Sequence, residues 1–134
     1  MSVHVRLRVA AEEYAMPVGH VLEVTDVGQV WAVPRTRPEL LGVQNLRGQI
    51  LPVVDIAVLL RVLRTAPPSC LLVAEAGGRR AGFTIDDVSG VGLLAEPTME
   101  SESDLLLGTT LDGDDLIGVI DVPRLFDALQ QVGQ

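Results

Sequence analysis

Gly42-Val43-Gln44-Asn45-Leu46-Arg47-Gly48-Gln49-Ile50-Leu51-Pro52-Val53-Val54-Asp55 is the stretch on which the reading of this chain turns. Two apolar runs flank Gly48, a residue type that takes positive φ without steric cost, so a hairpin or bulged turn is expected there. Asp55 directly precedes Ile56-Ala57-Val58-Leu59-Leu60, which predicts a short helix capped by that carboxylate. Arg47 then sits at a tight turn between two buried strands, on a stiff platform. Its five-donor fork can pair with a carboxylate or with a partner's backbone carbonyls. With Glu23, Asn45 and Gly48 it forms the one constellation with recognition chemistry, and two readings stay open: a contact for a partner, or a local ion pair or carbonyl cap.

Working outward, Val3, Val5, Leu7 and Val9 alternate with His4, Arg6 and Arg8, the period of a half-buried strand with the polar residues, His4 among them, on the surface. Tyr14 to Val18 and His20 to Val24 continue in β-prone pieces, broken at Pro17 and Gly19 by a bend or bulge. Val30 to Val33 reads as a further strand, and Pro38 to Leu41 as one helical turn ended by Gly42. The second half repeats the style. Cys70 to Ala74 and Ala81 to Ile85 flank a Gly77-Gly78 turn, Val88 to Leu94 is a third strand, and Glu96 to Asp104 is an acidic loop. Leu105 to Leu111 and Leu116 to Ile120 flank Asp112-Gly113-Asp114-Asp115, a hairpin signal, and Val122 to Leu129 closes as a helix with Pro123 in its first turn. Eight to ten short strands with two or three helical pieces and no long linker favour antiparallel barrels or a sandwich over a parallel α/β sheet.

Composition limits the rest. At 134 residues one domain is expected across 1–134, and Val, Leu and Ile make up about a third of the chain, enough for an aliphatic core and too much for disorder. No uncharged stretch is long enough to cross a bilayer and no leader-like start is present, so a cytoplasmic place is expected. The net charge of −8 disfavours nucleic acid and direct membrane binding. It is uneven: residues 1 to 80 carry nine Arg against seven acids, and residues 81 to 123 carry ten acids and no base. An acidic surface over Glu96 to Asp115 follows.

Catalytic chemistry finds little support. Cys70 has no partner for a disulfide and reads as a buried small hydrophobe, and with only His4 and His20 beside it no zinc cluster can be built. Asp112, Asp114 and Asp115 lack the spacing of a calcium loop. Glu12-Glu13 and Asp86-Asp87 are neighbours that a strand would point to opposite faces. The chain has no lysine, which excludes a phosphate loop of the usual kind. No enzyme, cofactor or metal is expected.

The stretch from Gly42 to Asp55 closely resembles the signature of the chemotaxis coupling protein (CheW) family. Further matches are Glu13-Tyr14-Ala15-Met16-Pro17-Val18, Val21-Leu22-Glu23-Val24, Gly82-Phe83-Thr84-Ile85-Asp86-Asp87-Val88 and Leu116-Ile117-Gly118-Val119-Ile120-Asp121-Val122. The resemblance implies two small five-stranded β-barrels packed on each other, with short helices including one at the C-terminus. It implies a non-enzymatic adaptor that couples the cytoplasmic tip of chemoreceptors to the regulatory domain of the histidine kinase CheA. Carried over by position, Glu23 and Arg47 match a charged pair lying close on the surface of the first barrel, with Val21, Gly42, Asn45 and Gly48 in the same partner-binding region. After Asp55 the chain departs from the family, being more aliphatic over Ile56 to Val62. Two alternatives remain: a scaffold that binds only kinase or only receptors in a non-flagellar pathway, and a small β-barrel ligand carrier or enzyme.

Overall fold

Apolar residues on both faces of the middle strands dictate where the core lies. In the computed structural model, which describes residues 1–34 and 37–130, the order is β1 (Ser2–Val9), β2 (Glu12–Pro17), a 3-10 turn (Val18–His20), β3 (Val21–Asp26), β4 (Leu40–Leu46), β5 (Gln49–Asp55), α1 (Ile56–Leu60), β6 (Cys70–Ala76), β7 (Arg79–Ile85), β8 (Asp87–Leu94), β9 (Leu106–Asp112), β10 (Asp115–Ile120) and α2 (Val122–Gln130). The strands form two five-stranded sheets, β8-β1-β2-β10-β9 and β3-β6-β7-β5-β4. Leu7, Met16, Leu72, Phe83 and Ile120 meet in a shared core between the sheets, which α1 and α2 complete with Ile56, Leu60, Leu125 and Phe126. The opposite faces bury smaller clusters of their own: Ala15, Leu94, Ile117 and Val119 in the first sheet, and Leu51, Val53, Leu71 and Val73 in the second. Strands buried on both sides read as continuous apolar runs rather than alternations, which is why Leu51 to Val54 and Leu71 to Ala74 show no period of two.

The chain is a tandem repeat. β1β2β3 β4β5α1 is followed by β6β7β8 β9β10α2, and the hydrogen bonds repeat with it. Asp55 N–H donates to Glu39 O at 2.7 Å and Asp121 N–H to Leu105 O at 2.8 Å. Each half gives its first hairpin to the other half's sheet, so β1β2 sits with β8, β9 and β10 while β6β7 sits with β3, β4 and β5. The donated hairpins join in parallel, β2 on β10 and β5 on β7, and the other pairings are antiparallel. The expectation of an antiparallel architecture is thus corrected at one junction per sheet.

The expected barrels are present as rolled sheets whose ladders stay open. β3 and β4 are the two edges of the second sheet, yet Glu23 of β3 pairs with Arg47 of the β4–β5 turn, and Trp31 bridges to Val43 of β4. In the first sheet Arg6 of β1 reaches Asp112 beyond β2 and β10, at 2.6 Å, and Met99 bridges to Thr109 of β9. With the β1 sheet as first barrel and the β3 sheet as second, the Glu23–Arg47 pair expected on the first barrel stands on the second, because β3, β4 and β5 all join that sheet.

Several local expectations change. Val30 to Val33 is not a strand: only Trp31 pairs, as an isolated bridge. Pro38 and Glu39 form a turn that leads straight into β4, so Gly42 lies inside a strand instead of ending a helix. His4 is 6% exposed, because the face of β1 it shares with Arg6 lines the inside of a rolled sheet; its Nδ1 lies 3.0 Å from Ser2 O. Cys70 is half-buried rather than fully buried. The helix over Ile56 to Leu60 forms as expected, with Asp55 Oδ1 accepting from Ala57 N–H at 3.1 Å.

Candidate partner-binding site

The β4–β5 hairpin closes with Leu46 opposite Gln49, leaving Arg47 and Gly48 as a two-residue loop. Their φ angles, 52° and 84°, are the positive pair of a type I′ turn, whose twist matches that of the flanking strands. Asn45 stabilises it: its Oδ1 accepts from Gly48 N–H at 2.9 Å. Arg47 is a non-glycine residue in left-handed backbone, a conformation uncommon outside glycine, and the turn aims its side chain outward with 71% of it exposed.

Across the mouth of the second barrel stands Glu23 on edge strand β3, and Arg47 Nη1 donates to its Oε2. The carboxyl of Glu23 is held below the ordinary glutamate range, chiefly by that hydrogen bond and further by the charge of Arg47, against an opposing desolvation. The guanidinium of Arg47 is shifted up by the same hydrogen bond and the charge of Glu23. Both groups lie at the surface, so the pair orients side chains more than it stabilises the fold. Beneath it is a depression of about 240 Å³ with Leu22, Leu46, Leu51 and Val73 in its wall and Gln49 and Arg80 completing the lining. Arg80 is itself fixed, donating to Gln49 Oε1 at 3.0 Å and Glu75 Oε2 at 2.8 Å.

The structure therefore brings Glu23, Asn45, Arg47 and Gly48 together. Val21 lies two positions before Glu23 but packs against the shared core, and a register shift between Val21 and Glu23 turns Leu22 outward instead. Gly42 is elsewhere on β4, against the backbone of Trp31. Sequence reading missed Leu22, Gln49, Glu75 and Arg80. Gln49 could have been found from its place opposite Leu46, whereas Arg80 arrives through a hairpin donated by the other half.

The first barrel ends differently. Arg6 fills its mouth, with Asp112 at 2.6 Å, Asp115 at 3.4 Å and Glu13 at 3.8 Å, so two of the three hairpin aspartates are tied to an arginine. A larger open cleft of about 880 Å³ lies between α1 and α2 and carries both signs of charge, Arg61 and Arg124 with Glu102 and Asp127. No group of three or more His, Cys, Asp or Glu among the described residues could hold a metal ion, and no helix among them is long and apolar enough to cross a membrane. What the second-barrel mouth offers is a fixed ion pair beside a shallow depression of mixed apolar and polar lining, an arrangement suited to orienting another protein surface.

Comparison with known proteins agrees with that character. Residues 4–130 match the family model described as the CheW-like domain. The chain is 30% identical over 108 residues to the probable chemotaxis protein CheW of Rhizobium etli, covering 75% of this chain and 69% of that protein. It is 37% identical over 89 residues to protein FrzA of Myxococcus xanthus, covering 63% of this chain and 54% of that protein. Among solved structures, the scaffolding protein CheW of Thermoanaerobacter tengcongensis superposes with a TM-score of 0.80 at 26% identity, over 90% of this chain and 88% of that one.

Proposed function

We propose, from the premise that this chain belongs to the CheW-like domain family, how it performs the adaptor role of that family. The family consists of non-enzymatic scaffolds and adaptors of chemotaxis signalling, and this chain is one of them. Its partners are the regulatory domain of the histidine kinase CheA and the cytoplasmic tip of a chemoreceptor, and it works in the cytoplasm, at receptor arrays that it reaches through them. The second-barrel mouth contacts a partner through Arg47 and Glu23, with Asn45 and Gly48 shaping the turn; Val21 supports that surface from the shared core, and Gly42 acts from the far end of edge strand β4.

The observation that carries this reading is the geometry of Arg47. A side chain 71% exposed is held in one place by a two-residue turn with positive φ at both positions and a carboxylate across the barrel. Such preorganisation favours one partner orientation and penalises mismatched charge. A charge swap separates this role from a purely internal one. Arg47→Glu places two carboxylates together and is expected to weaken kinase-domain binding; the swapped Glu23→Arg/Arg47→Glu chain restores attraction within the molecule but presents reversed charges outward, so binding stays weak. Full recovery of binding in the swapped chain would make the pair an internal latch only.

A further inference from the structure

Three ties span the gap between edge strands β3 and β4. At one end is the Glu23–Arg47 pair, and in the middle Gly28 N–H donates to Gln44 Oε1 at 3.3 Å. At the far end Trp31 and Val43 exchange two backbone hydrogen bonds, 2.8 and 2.9 Å. The last tie depends on Gly42. Its φ is 151°, and a Cβ built there would fall on the carbonyl oxygen of Trp31 and 2.9 Å from its carbon. Any side chain therefore collides with backbone, which cannot swing aside as a side-chain tip can.

The repeat supplies an independent copy. Met99 and Thr109 exchange backbone hydrogen bonds of 2.8 and 3.1 Å across the first barrel. Gly108 stands beside them with φ 149°, its absent Cβ 2.6 Å from Met99 O and 3.0 Å from Pro97 Cβ. One glycine per half occupies the same step of β4 and β9, each next to a register shift. The two halves of the repeat thus close their barrels by one device.

We propose that Gly42 and Gly108 are positioning residues that keep the two rolled sheets closed, and that Gly42 thereby sets Glu23 opposite Arg47 without touching a partner. Its bearing on binding rests on the contact role proposed for Glu23 and Arg47, but the closure itself is read without any partner. The experiment is amide hydrogen exchange and a carboxyl NMR titration on the full chain, with Gly42→Ala, Gly108→Ala and Gly48→Ala. Gly48 also has positive φ, 84°, but nothing lies within 4 Å of its missing Cβ, so it controls for backbone strain in the exchange readout, while its place in the Arg47 turn keeps it out of the Glu23 titration.

Gly42→Ala is expected to speed exchange at the Trp31 and Val43 amides at least tenfold, to change the emission of Trp31, the sole tryptophan, and to return the Glu23 carboxyl toward the ordinary range. Gly108→Ala is expected to speed Met99 and Thr109 and leave the Glu23 titration where it was; Gly48→Ala leaves all four amides protected. If Gly42→Ala does not fold, Trp31→Pro removes one of the two strap bonds without altering β4, and faster exchange at Val43 carries the same prediction. Unchanged protection of Val43 in a folded Gly42→Ala or Trp31→Pro chain, or an unmoved Glu23 titration in either, would overturn the proposal. Arg47→Glu binding as well as the unaltered chain would instead overturn the contact reading and leave the exchange result standing.

Discussion

Arg47 illustrates how far a residue's role is written next to it in the chain. The turn that presents it is local: Asn45, Gly48 and the strand register suffice, and all were legible. Its carboxylate partner, 24 residues away, was grouped with it from the start, but only the family resemblance implied a surface pair, since spacing alone left the local and the recognition readings open. A pH experiment reports on the pair. Because the folded-state pKa of Glu23 is depressed, its contribution is present above the unfolded value, about 4.3, and is lost as pH falls through the folded value. The stability difference between the unaltered chain and Glu23→Gln should therefore shrink as pH drops below about 4.3, read by denaturant unfolding at several pH values; a difference that grows on acidification would contradict the assignment. Arg64 makes the contrasting case. It is 12% exposed and joins Asp86 at 2.5 Å and Asp55 at 3.3 Å, and it donates to Thr84 O at 2.8 Å. Nothing in its loop sequence announces this, because its acids come from the end of β5 and from the segment after β7. Arg64→Met leaves two partly buried carboxylates without their shared donor and should cost roughly 1–3 kcal/mol in urea unfolding, with no change at the β4–β5 turn.

At the scale of elements, the hairpins and both helices were readable because their signals are contiguous: glycine at the turns, Asp55 as a cap, Pro123 in the first turn of α2. Segments shaped by distant neighbours were not. Pro38-Glu39-Leu40-Leu41 has the composition of a helical turn, but Leu40 is claimed by pairing with Val54 of β5, and tertiary pairing outweighs local propensity. Val30 to Val33 has strand composition, yet the only ladder position open to it is Trp31 opposite Val43. Helix α2 is held by packing rather than propensity. Phe126 meets Phe83 edge-on, with centroids 5.7 Å apart, and Arg79 lies 5.6 Å from the Phe126 ring centre while donating to Phe126 O at 3.1 Å. Phe126→Ala should destabilise the chain by about 3–5 kcal/mol and release the last turn to proteolysis. A loss below about 1 kcal/mol would mean that α2 does not close the shared core.

The whole molecule is two half-chains that each complete the other's sheet. This exchange was invisible to a reading that took elements one at a time, although the signal is present: Leu51-Pro52-Val53-Val54-Asp55-Ile56 and Ile117-Gly118-Val119-Ile120-Asp121-Val122 occupy the same places in the two halves. The shared core follows from the exchange, since strands from both halves face it. The two barrel ends differ all the same, one tied across by Arg6 to Asp112 and Asp115 and acidic, the other a shallow depression beside Arg47 and Glu23. Contacts made by the acidic end should weaken as salt rises, with a screening length of about 8 Å at physiological ionic strength; binding of every partner without salt dependence would count against that surface. Coupling requires more than one partner surface on a single rigid body, and a core common to both sheets provides the rigidity. The most direct measurement is titration calorimetry of the full chain against the CheA regulatory domain and, separately, a receptor-tip hairpin, each repeated with Arg47→Glu. Binding to both, weakened by the substitution in a chain that still folds, is the expected result. Binding to neither, or equal affinity with Glu at position 47 for both partners, would contradict an adaptor that works through the Glu23–Arg47 surface.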